Sequence, residues 1–170
     1  TDENEIHRLA TEPGAAADLP LLTIRNDLAI AFCDKLGTAE WLSNHGINGP
    51  KTVPLTEAKE EELPLIVKPR HGAGSMSVSI VRTASLLRGM QDEHGDKYVA
   101  QEYLPDSRSE LTCALLRMNG DIRSLSLWRK LSGGRTVSAR IVDEPEVDKL
   151  LIRIAEATDL QGAINVQLRM

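Results

Sequence analysis

Apolar residues along this chain fall into two rhythms. From Asn26 onward, Leu28, Ala31, Phe32, Leu36, Ala39 and Leu42 keep near-helical spacing, and Gly46 followed by Pro50 ends the run. This predicts one helix or a broken pair. The runs Leu65 to Lys68 and Val78 to Val81 have strand length, and Tyr98 to Glu102 returns as a third strand. Between them, Thr83 to about Gln91 carries Leu86, Leu87 and Met90 on one side of a short helix. Leu111 to Met118 and Ile122 to Leu131 are joined by Asn119-Gly120, which suits a two-residue hairpin turn because both positions need positive φ. A last helix starts near Asp143-Glu144-Pro145, with proline and acid where a helix start accepts them. Its stripe of Val147, Leu150, Leu151, Ile154 and Ala155 is expected to cover the hairpin sheet, and Gln161-Gly162 then turns into a final strand, Ala163 to Leu168. Residues 1–25 mix acids, prolines and short apolar runs, and read as a remnant or linker. The mixed order predicts an α+β fold with two small lobes.

Composition narrows the function classes. With 41% hydrophobic residues in 170, the chain can bury a substantial core, which argues against disorder. Two Trp, two Tyr and one Phe leave few platforms for stacking bases, and a net charge of −5 argues against a nucleic-acid partner. The run Glu57 to Glu62 reads as a solvated acidic loop. Residues 121–140 are locally basic, with Arg123, Arg129, Lys130, Arg135 and Arg140 against Asp121 alone, a place where phosphate could lie. No apolar run approaches the roughly 18 residues of a membrane span and no signal peptide is visible, so a reduced cytoplasmic setting is expected. Cys33 and Cys113, far apart and without a C-x-x-C companion, are expected to be core thiols.

The chemistry concentrates in Lys68-Pro69-Arg70-His71-Gly72-Ala73-Gly74-Ser75-Met76-Ser77. Gly72 and Gly74 allow backbone N–H groups to turn inward, Ser75 and Ser77 add hydroxyl donors, and Lys68 and Arg70 bring positive charge, a combination suited to phosphate. It is not a P-loop, whose lysine follows the glycines and opens a helix. A dinucleotide fingerprint lacks its third glycine here, and a kinase loop lacks its later H-R-D and D-F-G. What remains is strand, lysine, flexible loop, strand.

That arrangement resembles the ATP-grasp superfamily, and its wording is closest to the carbamoyl-phosphate-synthetase-like branch. Three further stretches keep the family's order: Asp34-Lys35 with Trp41 to Thr52, then Gln101-Glu102-Tyr103-Leu104 with Glu110-Leu111-Thr112, then Gly162 to Gln167. The resemblance implies a nucleotide between the two lobes, residues 26–107 and 108–170, after a preceding α/β domain of which 1–25 would be the end. It assigns Lys35 and Lys68, with the loop residues Arg70, Gly72, Gly74 and Ser75, to the phosphates of ATP. Gln101, Glu102, Tyr103 and Leu104 would meet adenine at a hinge, Glu110 would accept ribose hydroxyls, and Gln167 would lie toward Mg²⁺ or Mn²⁺.

Three basic residues are candidates for the transferring phosphoryl group. Alternation groups Lys130 with Ser124, Ser126 and Trp128, and Arg129 with Leu125, Leu127 and Leu131; one of the two should face the site, and the pattern leaves the choice open. Arg135, after Gly133-Gly134, reads as part of a mobile loop over the phosphates. The implied activity is ATP-dependent joining of a small-molecule carboxylate to an amine-type nucleophile through an acyl phosphate. Ser77 stands where the family has a last loop glycine, and no acidic E-x-N-x-R segment follows Gln167 before Met170. The chain by itself is therefore expected to be an incomplete, inactive piece, with a noncatalytic nucleotide-binding or interaction module as the competing reading. The free edge of the last strand leaves a homo-oligomer open.

Overall fold

The computed structural model describes residues 3–12, 24–72, 77–105, 110–132 and 135–169. The chain divides into two compact units, one holding residues 29–105 and the N-terminal helix α1 (Glu3–Thr11), the other holding residues 24–28 and those from 110 onward. A helix at α1 is a departure from the expected remnant: nine residues form it, with Ile6, Leu9 and Ala10 at helical spacing on one side, and its described side chains are exposed or half-buried.

The long helical pattern resolves as a broken pair, α2 (Asn26–Phe32) and α3 (Lys35–Asn44). Asp34 makes the break. Its backbone is extended, at φ −111° and ψ 124°, and its carboxylate accepts from the Leu36 N–H at 3.0 Å, capping α3. The two helices meet closely at Gly37, where a Cβ would stand 2.8 Å from the Ala31 carbonyl oxygen.

Four antiparallel strands follow in the first unit, β1 (Thr52–Pro54), β2 (Leu65–Pro69), β3 (Ser79–Val81) and β4 (Tyr98–Glu102), in the order β1-β4-β2-β3. One face is apolar. Leu65, Val67, Val81 and Ala100 pack there with Leu87 of α4 (Ala84–His94) and with Leu55 and Ala58. The expected acidic loop contains two 3₁₀ turns, Leu55–Glu57 and Glu60–Glu62, because fully buried Leu55 pins the first of them. The Gln91 amide on α4 donates to the Leu55 and Ala58 carbonyls at 3.0 and 3.1 Å, tying turn to helix.

The second unit is also a four-stranded antiparallel sheet, β5 (Glu110–Met118), β6 (Asp121–Ser132), β7 (Arg135–Val142) and β8 (Gly162–Arg169), in the order β7-β6-β5-β8. Asn119 and Gly120 take φ of 53° and 88°, the doubly positive turn that their pair predicts. Helix α5 (Pro145–Ala157) brings buried Val147, Leu151, Ile154 and Ala155 to the face that carries Leu111, Cys113 and Leu115. Burying a Val, Leu or Ile side chain contributes about 1.5–3 kcal/mol, so the stripe adds substantially to the unit's stability. Arg135 opens β7, which corrects the loop reading at that residue; Gly133 and Gly134 lie outside the described residues. Among the described residues no helix is long and apolar enough to cross a membrane.

Candidate nucleotide site

In the first unit the open face of the sheet carries a short polar file. Strand alternation puts Lys68 opposite Val67, away from the core. Its ammonium donates to Gln101 Oε1 on β4 at 2.7 Å, and the Gln101 amide nitrogen donates to Thr52 Oγ1 on β1 at 2.8 Å. Lys68 is half-buried, and its pKa is lowered to about 8, by burial first and by the charge of Lys35 second. Its partner is a neutral amide, and no described carboxylate acts on it.

A second cluster joins the start of α3 to the end of β2. Lys35 Nζ donates to the carbonyls of Arg70 and Gly72 at 3.2 and 2.7 Å, and its backbone N–H donates to the Arg70 carbonyl at 3.1 Å. Arg70 donates from Nε and Nη2 to the two oxygens of Asp34, at 3.2 and 2.5 Å. Partial burial works against the Asp34 charge, but hydrogen bonds from Arg70 and the Leu36 N–H outweigh it and hold the carboxyl below its ordinary range. His71 Nδ1 lies 3.0 Å from the Cys33 carbonyl oxygen. Residues 33–35 thus grip residues 70–72 at the base of the glycine loop. Gly72 has φ +100°, a left-handed value that favours glycine. Gly74 and Ser75 lie outside the described residues.

At the strand end, Glu102 turns back on β1. Its carboxylate accepts from the Lys51 N–H at 3.2 Å while its own N–H donates to the Lys51 carbonyl at 2.8 Å, which ties the end of β4 to the residue before β1. Tyr103 and Leu104 are half-buried, and the Arg82 guanidinium sits 5.4 Å over the Tyr103 ring.

The second unit gathers opposite charges. Glu110 opens β5 on the face away from α5, and its Oε1 accepts from Arg129 Nη2 at 2.8 Å and its Oε2 from Arg169 Nη2 at 3.4 Å. Register places Thr112 beside Gln167 on that same face, with Gln167 exposed.

A model of the ATP-grasp domain matches residues 32–168. The chain belongs to the ATP-grasp family. No curated protein matches it. Solved structures with the same fold include the L-amino acid ligase from Bacillus licheniformis, with TM-score 0.70, 20% identity and coverage of 97% of this chain and 43% of that one. The D-alanine-D-alanine ligase from Helicobacter pylori gives TM-score 0.69 and 16% identity over 97% of this chain and 58% of that one. The N5-carboxyaminoimidazole synthetase from Staphylococcus aureus, complexed with ADP, gives TM-score 0.72 and 16% identity over 98% and 46%. At such identities the likeness is one of fold, and this chain spans about half the length of these relatives.

Within this ATP-grasp chain Arg129 and Lys130 fall on opposite faces of the second sheet, one of them covered by α5. Ser124 donates to Asp148 on that helix at 2.8 Å, and buried Ser126 donates to Cys113 Sγ at 3.3 Å, so the polar set grouped with Lys130 belongs to the helix-covered face. Lys130 is exposed on the helix-covered face, and Arg129 shares the face of Glu110 and Gln167. Of Arg135 only its place at the start of β7 is described. Cys33 and Cys113 are both buried and unpaired with each other, as core thiols should be.

Three participants escape the sequence reading. Asp34 and Thr52 stand inside stretches that carry the family likeness but give no separate sign of their partners. Arg169 follows Gln167 by two positions, and strand alternation alone could have placed it on the same face. No group of three or more His, Cys, Asp or Glu among the described residues is placed to hold a metal, and a single exposed amide such as Gln167 does not fit a divalent cation, which takes several oxygen ligands.

Proposed function

We propose that this chain binds ATP and is the nucleotide-binding part of an ATP-dependent ligase, one that joins a small-molecule carboxylate to an amine-type nucleophile through an acyl phosphate. The observation that carries the proposal is Lys68. A half-buried ammonium whose described partner is a neutral amide gains more from an incoming phosphate than one already paired with an acid. Lys35 adds a second cation, held by two carbonyls that leave its charge uncompensated. Arg70 contributes less, because Asp34 balances it, and its part is to anchor the base of the glycine loop.

Glu110 supplies acceptors for ribose hydroxyls, and Gln101 to Leu104 supply the adenine hinge with the Glu102 side chain left out. Fixed positive groups would offset charge on a transferring phosphoryl group without reorganising, the commonest large term in such catalysis. Mg²⁺ or Mn²⁺ remains part of the reading by resemblance, and no step is derived through it. The loop wording Lys68-Pro69-Arg70 supports placement near the carbamoyl-phosphate-synthetase-like branch.

Calorimetry with ATP on the wild type and on Lys68→Ala tests the reading. Losing a hydrogen bond between charged partners should weaken binding about 10- to 100-fold. Equal affinity in two folded proteins would overturn it.

A further inference from the structure

Glu110 is flanked by an arginine on each neighbouring strand. Arg129 on β6 takes Oε1 at 2.8 Å, and Arg169 on β8 takes Oε2 at 3.4 Å, so each oxygen of one carboxylate has its own guanidinium. The Glu110 and Arg129 side chains are largely shielded, with relative exposures of 19% and 17%. Two anchors fix the carboxylate's plane, which one hydrogen bond would leave free to turn. Each carboxylate oxygen has two lone-pair sites, so both keep acceptor capacity after the arginines are bound. Two acceptors held in one plane suit a vicinal diol, whose two O–H groups donate side by side.

Arg129 also carries a cost. Its Nε is buried and has no hydrogen-bond partner among the described residues, an arrangement folded proteins usually avoid. Lysine has no such inner nitrogen but cannot offer a rigid planar fork. What the arginine supplies at this position is a fixed approach to Oε1.

We propose that Arg129 is a positioning residue that acts through Glu110 to make nucleotide recognition depend on the ribose hydroxyls. This assigns it a different task from contact with the transferring phosphoryl group, and it rests on the ATP-binding reading above. The clamp holds the carboxylate so that ribonucleotides gain two hydrogen bonds and 2′- or 3′-deoxynucleotides gain one.

The test is calorimetric affinity for ATP, 2′-deoxy-ATP and 3′-deoxy-ATP in the wild type, Arg129→Met, Arg129→Lys and Glu110→Gln, with thermal melts to verify folding. The wild type should prefer ATP over either deoxynucleotide by about 10- to 100-fold, the range for a hydrogen bond to a charged group. Arg129→Met should bring that preference within about threefold, because ATP loses two hydrogen bonds to the carboxylate where each deoxynucleotide loses one and so weakens more than either, and Arg129→Lys should restore part of it. Combining Arg129→Met with Glu110→Gln should add little further loss of discrimination, as expected for residues acting in one unit. A role confined to structure would lower affinity for all three nucleotides alike, and that result would overturn the proposal, as would a wild type that binds all three equally. Absence of binding by every nucleotide would remove the ATP reading and this inference with it; binding without ribose discrimination would remove this inference alone.

Discussion

The lysine cluster of the first unit and the arginine cluster of the second hold similar charges in opposite circumstances. Lys68 and Lys35 donate to an amide and to carbonyls, neutral groups that leave their charge available. Arg129 and Arg169 donate to Glu110, which takes up much of theirs. Counting basic residues would rank the second region higher, since residues 121–140 hold five against one acid. The partners reverse that ranking. A cation with neutral partners is prepared for an anionic ligand at some expense of stability, whereas a cation tied to a carboxylate stabilises the fold and orients the acid.

Substitutions that remove charge but keep bulk should therefore act with opposite sign in the two clusters. Arg129→Met leaves Glu110 shielded with only the longer Arg169 contact, and should destabilise the chain by about 2 kcal/mol in denaturant unfolding. A change of the same sign in the first unit is expected at Gly37, where a Cβ 2.8 Å from the Ala31 carbonyl oxygen forces α2 and α3 apart; Gly37→Ala should cost about 1–3 kcal/mol, seen as a lower melting temperature. Lys68→Met should do the reverse and stabilise by about 1 kcal/mol, less than the full shift implies because the side chain is partly solvated. Destabilisation by Lys68→Met as large as that by Arg129→Met would erase the contrast.

The same contrast has a pH signature in folding. For Lys68 the folded pKa, about 8, lies below the ordinary value of 10.5, so between them the unfolded chain binds more protons and stability rises with pH. The penalty of holding the charge is fully present below about pH 8 and is relieved as pH approaches 10.5. Comparing wild type with Lys68→Met isolates this contribution: their stability difference should shrink by about 1 kcal/mol across that window. A constant difference would mean that Lys68 titrates alike in both states.

Much of this was readable because burial and sequence rhythm agree. Asn119-Gly120 dictates its turn through two positive φ values, and the α5 stripe has one face to cover. Strand β7 was hidden because Thr136 to Ile141 are all exposed, so neither face gives an apolar rhythm, and the neighbouring glycines and Arg135 suggested a loop. Strand β1, only three residues long, is held by its register against Val99, Ala100 and Gln101 rather than by local preference. In the site, Lys68 was conspicuous at the end of an apolar run. Asp34 and Arg70 were not recognisable as a pair, since 36 residues separate them. Alternation grouped Ser124 and Ser126 with Lys130 without naming their partners, and only the packing of α5 shows that their hydroxyls meet Asp148 and Cys113.

The central claim is that Lys68 keeps its charge available for phosphate, and the most direct measurement is ATP affinity and proton uptake by calorimetry from about pH 7 to about pH 10. Bound phosphate should raise the Lys68 pKa back from about 8, so affinity should be level below that pH and fall above it by up to about tenfold per unit, with protons taken up on binding. Lys68→Ala should bind weakly and show neither the fall nor the uptake near that pH. Affinity level through pH 10 in the wild type, or an identical fall in Lys68→Ala, would contradict the account.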